Sequence, residues 1–225
     1  MVCKWYLAMT DEELRLTGKT SGIARMGCGF SGSQPALEGL PARMPADHLL
    51  IIDDRHPISR HRKDKVIRQL VACQSDGILL DLQKPRTAAS AAMVKAIAQN
   101  LSCPVAVTAP YADLTQGPVL VVASLHIPLQ RLIAPWKHRK IWLDIPFGLQ
   151  TVTGAEAGPI TPFTGEAFPQ YDKFLHCAYK TRRTDQGLQF TLYRSRQMLP
   201  QLLAQAGELG VEKAIGLYKE YYQTK

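Results

Sequence analysis

The chain has 225 residues, a formal net charge of +8 and ordinary apolar and charged fractions, so one large domain or two small ones can bury a sizeable core. No run approaches the roughly 18 apolar residues of a membrane helix. Met1–Met9 lacks the apolar length and the small-residue cleavage site of a secretory signal, and a cytoplasmic protein is expected unless another export route is used.

The five cysteines, Cys3, Cys28, Cys73, Cys103 and Cys177, are odd in number and contain no CxxC pair, which argues against a disulfide framework or a zinc site and predicts buried free thiols. Positive charge gathers in three runs: Arg55–Arg68 (Arg55, Arg60, Arg62, Lys63, Lys65, Arg68), Lys137-His138-Arg139-Lys140, and Lys180–Arg183. No aromatic residues interleave with them as a single-strand-binding surface needs, so solvated faces are expected and nucleic acid is not an expected partner.

In chain order, Cys3–Met9 reads as an aromatic-rich strand. Thr10–Leu16 reads as a helical turn, with Thr10 as N-cap and Glu13 completing a capping box. Thr17–Pro45, rich in glycine and proline, reads as one long irregular loop. Its Gly27-Cys28-Gly29-Phe30-Ser31-Gly32 superficially matches a dinucleotide fingerprint, but no clear strand precedes it and no helix follows, so no cofactor is expected. His48–Asp54 is an apolar run ending in two carboxylates, a buried strand. Ser59–Gln74 has helical spacing, with Val66, Leu70 and Cys73 on one stripe.

Gly77–Leu82 is the next strand, Thr87–Leu101 an alanine-rich helix, and Pro104–Thr108 and Pro118–Ser124 two further strands. Pro128–Trp136 is a short helix and Lys140–Ile145 a strand. Pro146–Gln170 reads as a second loose region. Lys173–Tyr179 reads as a strand, and Asp185-Gln186-Gly187 turns the chain back into Gln189–Tyr193 as a hairpin. Ser195–Leu209 is an amphipathic helix with Pro200 in its first turns, and Val211–Tyr218 holds the last strand.

Strands near residues 3, 48, 77, 104, 118, 140, 173 and 213, several separated by helices and too apolar to be half exposed, predict a single domain over 1–225. It is an irregular (β/α)8 TIM-type α/β barrel with an inserted β-hairpin, and a doubly wound open sheet is the alternative. In such a barrel the functional groups sit at the C-terminal ends of the strands. Those ends carry Asp53, Asp54, Asp81, Gln83, Thr108, Tyr111, Ser124, His126, Asp144, His176, Tyr179 and Glu220. Asp81 and Gln83, two residues apart, share one face. No HxH or HExxH spacing marks His126 or His176 as metal ligands, and no metal is assigned. There is no GxSxG elbow.

Asp76-Gly77-Ile78-Leu79-Leu80-Asp81-Leu82-Gln83-Lys84-Pro85 resembles the strand motif of chitinase-like (family 18) glycoside hydrolases, D-G-x-D-x-D-x-E, often followed one residue later by proline. Asp76, Gly77, Asp81 and Pro85 agree. Leu79 stands where the first inner aspartate belongs, and Gln83 where the catalytic glutamate belongs. The stretch falls on the third strand read above, whereas the family carries it on the fourth.

The resemblance implies a general acid that protonates the glycosidic oxygen while the substrate's acetamido group acts as nucleophile. A glutamine amide cannot donate that proton. The resulting expectation is a glycoside-hydrolase-like barrel without the parent activity. It would bind a carbohydrate or other polar small molecule at its mouth through Gln83, Asp53, Tyr111, His126, His176 and Tyr179. One alternative is an active hydrolase using Asp81, Asp144 and Glu220, where two carboxylates must lie about 5–10 Å apart across a substrate. The other is a basic scaffold that binds a polyanion.

Overall fold

The computed structural model describes residues 2–58, 62–163, 165, 168–185 and 187–223. The elements run β1 (Lys4–Met9), α1 (Asp11–Thr17), β2 (Ile23–Phe30), β3 (Leu37–Glu38), β4 (His48–Asp53), α2 (Lys63–Cys73), β5 (Ile78–Asp81), α3 (Ala88–Asn100), β6 (Val105–Thr108), β7 (Val119–Val122), α4 (Leu129–Ile133), β8 (Ile141–Asp144), β9 (Gly148–Thr153), β10 (Glu156–Ala157), β11 (Gln170–Asp172), β12 (Cys177–Thr184), β13 (Gly187–Arg194), α5 (Leu199–Glu208), β14 (Val211–Leu217) and α6 (Tyr218–Gln223), with short 3-10 turns between some of them. The predicted start of α2, Ser59–His61, and the turn residue Gln186 lie outside the described residues.

The strands of the main sheet follow the order β1-β14-β8-β7-β6-β5-β4-β2-β3, and β1 also pairs with β2. That last pairing closes an eight-stranded parallel barrel, an α/β TIM-type fold. A second, antiparallel sheet, β10-β9-β13-β12-β11, is inserted between the seventh and eighth barrel strands.

Three sequence expectations are corrected. The loop Thr17–Pro45 contains β2, which is the second barrel strand. Lys173–Tyr179 is not a barrel strand: its first residues turn, and Cys177 begins β12 of the second sheet. The loose region Pro146–Gln170 contains β9 and β10, so the insert is a five-stranded sheet rather than a lone hairpin. The hairpin itself is as expected, with Ala178 opposite Tyr193 and Thr184 opposite Gly187.

The chain divides into two compact units, one of Tyr6–Leu120 with His138–Trp142, the other of Met1–Trp5, Val121–Lys137 and Leu143–Lys225. In the first, α1 opens as its sequence predicts. The Thr10 hydroxyl accepts the Glu13 amide at 3.3 Å, and Glu13 Oε2 accepts the Thr10 amide at 2.8 Å. The stripe Val66, Leu70 and Cys73 of α2, with Met93, Val94 and Ile97 of α3, packs on Leu50, Ile52, Ile78, Leu80, Val105 and Val107. Each of these fully buried aliphatic side chains contributes roughly 1.5–3 kcal/mol. Because strand side chains alternate, Ile51, Asp53, Leu79 and Asp81 must face the opposite way, into the barrel.

In the second unit, Arg194 at the end of β13 is 1% exposed and has no carboxylate partner among the described residues. Its guanidinium donates instead to main-chain carbonyls: to Ala123 at 2.6 Å, Ser124 at 3.0 Å, Leu175 at 3.1 Å and His176 at 3.5 Å. Burial pushes this group down to about 10, which leaves it a cation at neutral pH. It ties the chain after β7 to the turn before β12. Leu125, Cys177 and Leu192 form a small core beside it, with Val152, Tyr179 and Phe190 packed against them.

Candidate functional site

The mouth is built from the ends of β4 and β5. Asp53 and Asp81 are register partners on neighbouring parallel strands, so they project side by side into the barrel. Gly29 of β2 is the register partner of Asp53 on its other side. A Cβ there would lie 2.6 Å from Asp53 Oδ1, so only glycine lets the carboxylate lean over β2. Gly32 does the same for His56, whose ring would be 3.0 Å from an added Cβ. The glycine run that resembled a dinucleotide fingerprint therefore clears space for acidic and imidazole side chains at the mouth. A register shift between Arg25 and Cys28, with Gly27 at φ +90°, marks a bulge in the same strand.

The three carboxylates differ in environment. Asp53 accepts the Arg55 amide at 3.1 Å and Arg55 Nε at 2.8 Å, and a further guanidinium nitrogen completes the pair. Burial pushes the Asp53 carboxyl up, but the bonds from Arg55 outweigh it and hold the group below the usual carboxylate range. Asp54 is buried, and its two oxygens accept the amides of Gln83 and Lys84, each at 3.0 Å. It holds the loop after β5 in place.

Asp81 is pushed above the usual carboxylate range by burial, opposed by its bond from Gln83 and reinforced by the nearby Asp54 and Asp53. Gln83 Nε2 donates to Asp81 Oδ1, so the two side chains meet as their spacing predicts. Lys84, whose ammonium donates to the Arg55 carbonyl, completes a cluster of acids, amide and cations.

A cavity of about 150 Å³ adjoins these loops, lined by Asp54, His56, Lys84, Pro85 and Tyr111 among others. Tyr111 is buried in the 3-10 turn Ala109–Leu114, and its hydroxyl donates to Ser90 Oγ at 2.9 Å. Among the described residues no group of three or more His, Cys, Asp or Glu side chains is placed to hold a metal ion.

Asp144 ends β8 and Glu220 lies in α6; both belong to the other unit from Asp81. Glu220 Oε2 accepts the Phe147 amide at 3.1 Å, and burial pushes its carboxyl up against that bond. Beside it Trp5, Phe147 and Tyr221 form an aromatic cluster with centroids 5.5–6.1 Å apart. His126 lies between Ser124 Oγ at 2.8 Å and Gln150 Oε1 at 3.1 Å of its Nδ1, and Gln150 comes from β9 of the inserted sheet.

His176 and Tyr179 were expected at the end of a barrel strand and are not there. His176 sits in the turn before β12 at φ +49°, its Nδ1 3.2 Å from the Tyr171 hydroxyl, and Tyr179 packs on the small core of the inserted sheet. Burial, then the Arg194 charge, lowers the His176 imidazole.

The basic runs are partly spent inside the fold. Arg62 and Arg68 pair with Asp64 at 3.0 and 3.2 Å. Arg139 donates to the carbonyls of Ala112, Thr115 and Gly117 at 2.7–2.9 Å. Arg60 and His61 lie outside the described residues, while Lys180–Arg183 are exposed on β12.

No family model and no curated protein matches the sequence. Solved structures do match the fold. The spore cortex-lytic enzyme SleL of Bacillus cereus is similar over 99% of this chain and 73% of its own, with TM-score 0.59 at 10% identity. The chitinase-like agglutinin of Robinia pseudoacacia is similar over 93% of both chains, with TM-score 0.58 at 10% identity. Human YKL-39, described as a pseudo-chitinase with retained chitooligosaccharide binding properties, matches over 95% of this chain and 92% of its own, with TM-score 0.54 at 10% identity.

The chain has the chitinase-like barrel fold. With β2 counted, the stretch Asp76–Pro85 lies on the fourth barrel strand, the place that the motif it resembles takes in that family. The chitinase-like barrel is shared by enzymes, a pseudo-enzyme and an agglutinin, so activity must be argued from the site itself.

Proposed function

We propose that this protein is a chitinase-like barrel that binds a carbohydrate, of chitooligosaccharide type, without hydrolysing it. The observation that carries this reading is Gln83: at the end of the fourth barrel strand an amide stands on the barrel side, and it donates to Asp81. An amide in that place can hold a hydroxyl or an acetamido group by hydrogen bonds, but it has no acidic proton to give a leaving oxygen. Asp81, kept polar and half-buried beside Asp53 and Gln83, is the ligand-facing acceptor.

The test is titration calorimetry with chitotetraose, together with an aryl-chitobioside turnover assay. Saturable binding that is lost in Asp81→Ala, with no turnover by the wild type, is the expected pair of results. Binding unchanged in a folded Asp81→Ala variant, or measurable turnover by the wild type, overturns the reading.

One observation favours a second reading, an active hydrolase. Glu220 has the burial and raised carboxyl that a general acid needs. In that case aryl-glycoside turnover is present and vanishes in Glu220→Gln. A polyanion-binding scaffold would instead show affinity that falls steeply with salt.

A further inference from the structure

A second and larger cavity, of about 300 Å³, opens in the first-described unit on the helix-facing side of the barrel wall. Ile23 and His48, register partners at the starts of β2 and β4, line it. His48 shares its strand face with Leu50 and Ile52, which belong to the layer packed under the helices. The cavity has a topological cause. A regular β/α repeat would return from β2 through a helix on this face, but residues 31–47 return through β3 and turns. The gap is left between α1 and the segment before β4.

Leu14, Ile23, Met44 and Pro45 make the apolar part of the wall. Lys19, Thr20, Arg25 and His48 make the polar part, and no carboxylate is among the described residues that line it. Lys19 and Thr20 are exposed, and among the described residues neither side chain has an ion pair or a side-chain donor bond. Arg25 holds Asp11 at 2.6 Å through Nη2, while its Nε is buried without an acceptor among the described residues. His48 is 5% exposed. Its Nδ1 donates to the Ala46 carbonyl at 2.9 Å, and its Nε2 has no partner among the described residues.

We propose that this cavity binds a small apolar monocarboxylate, with the carboxylate at Lys19 and Arg25 and the apolar body against Leu14, Ile23, Met44 and Pro45. Two cations with one internal counter-ion leave an excess positive charge at the rim, which selects an anion. The apolar wall selects against inorganic phosphate or a bare sugar. At about 30 Å³ per water-sized group, the volume suits roughly ten non-hydrogen atoms, the size of octanoate.

The experiment is calorimetric titration of the full chain with sodium octanoate, with octan-1-ol in parallel. Single-site saturable binding is expected, weakened about tenfold in Lys19→Ala and retained in Lys19→Arg, with octan-1-ol weaker than octanoate by a similar factor. Thr20→Trp fills the opening and is expected to abolish binding. Both positions are exposed, so these variants keep the fold. Absence of saturable binding, equal affinity in Lys19→Ala, or binding that survives Thr20→Trp overturns the assignment. Chitotetraose binding is read separately and is unaffected by these variants, so this site and the mouth fail or stand independently.

Discussion

Gln83→Glu replaces the amide that donates to Asp81 with a carboxylate that cannot, in a mouth that already holds Asp53, Asp54 and Asp81. The lost bond to a charged acceptor is worth about 1.5–3 kcal/mol. Two unit charges about 4 Å apart repel by about 4 kcal/mol at an effective dielectric constant near 20. The folded chain escapes part of that cost by keeping a proton on the pair, as two carboxyls in contact do.

The net loss expected at neutral pH is about 2–4 kcal/mol, or about 5–15 °C in Tm for a chain of this length. The Asp81 carboxyl is already raised by burial in the wild type, and the added carboxylate raises it further. A raised carboxyl binds more protons folded than unfolded, so its stabilising share is present below the ordinary carboxylate range and is lost as pH rises through the folded value. The gap between variant and wild type should therefore be small near about pH 4 and open toward about pH 7. Urea unfolding at those two pH values measures it. Equal stability at neutral pH, or a gap of the same size in acid, would refute the Gln83–Asp81 contact as the element that keeps the mouth's acids compatible.

Other substitutions probe the supports of the site. Arg194→Met leaves four carbonyls, two of them in buried bonds, without their cationic donor and should cost about 3–5 kcal/mol in urea unfolding; a loss below about 1 kcal/mol would show that the carbonyls find other donors. Gly29→Ala puts a methyl 2.6 Å from Asp53 Oδ1. It should cost about 1–3 kcal/mol and weaken chitotetraose binding, whereas a variant neutral in both would show that Asp53 moves freely. Asp54→Ala orphans the amides of Gln83 and Lys84, with an expected loss of about 2–4 kcal/mol in thermal unfolding; unchanged melting would mean that water replaces the carboxylate.

The barrel was legible in the sequence wherever a strand is buried on both faces. His48–Asp53, Ile78–Asp81, Val105–Thr108 and Ile141–Asp144 are short apolar runs closed by polar residues, and each is a barrel strand. β2 was illegible because it lacks that composition. Its sequence Ile-Ala-Arg-Met-Gly-Cys-Gly-Phe carries a bulge, and it changes partners along its length. Ile23–Arg25 pair with β1, and Gly29–Phe30 pair with β3. Lys173–Tyr179 was misread in the opposite direction, since an apolar and aromatic run does not reveal whether its neighbours are parallel or antiparallel. The two errors cancelled in the strand count, and the missed β2 alone shifted the apparent position of Asp76–Pro85 by one strand.

The site was legible only where one strand supplies it. Asp81 and Gln83 share a face by the period of two, and the structure brings them into contact. What the period cannot show is how the neighbouring strands treat that pair. Asp53 stands beside Asp81 because β4 and β5 run in register, leans over β2 because residue 29 is glycine, and is held by Arg55 two residues on. Asp54, next to Asp53 in the sequence, is buried in the fold and holds two loop amides.

Gly29, Arg55 and Lys84 were not picked out as site residues: Gly29 fell in a glycine run read as loop, Arg55 in a basic run read as a solvated face, and Lys84 beside the motif. They determine which of the mouth's carboxylates is neutralised and which is left polar beside Gln83. That difference bears on the proposed function: Asp53 is countered by Arg55, Asp54 is committed to backbone, and the immediate neighbour of Asp81 is an amide. On the reading proposed above, such a mouth holds a polar ligand by hydrogen bonds, and the amide of Gln83, standing where the motif it resembles has its acid, has no acidic proton to give a leaving oxygen.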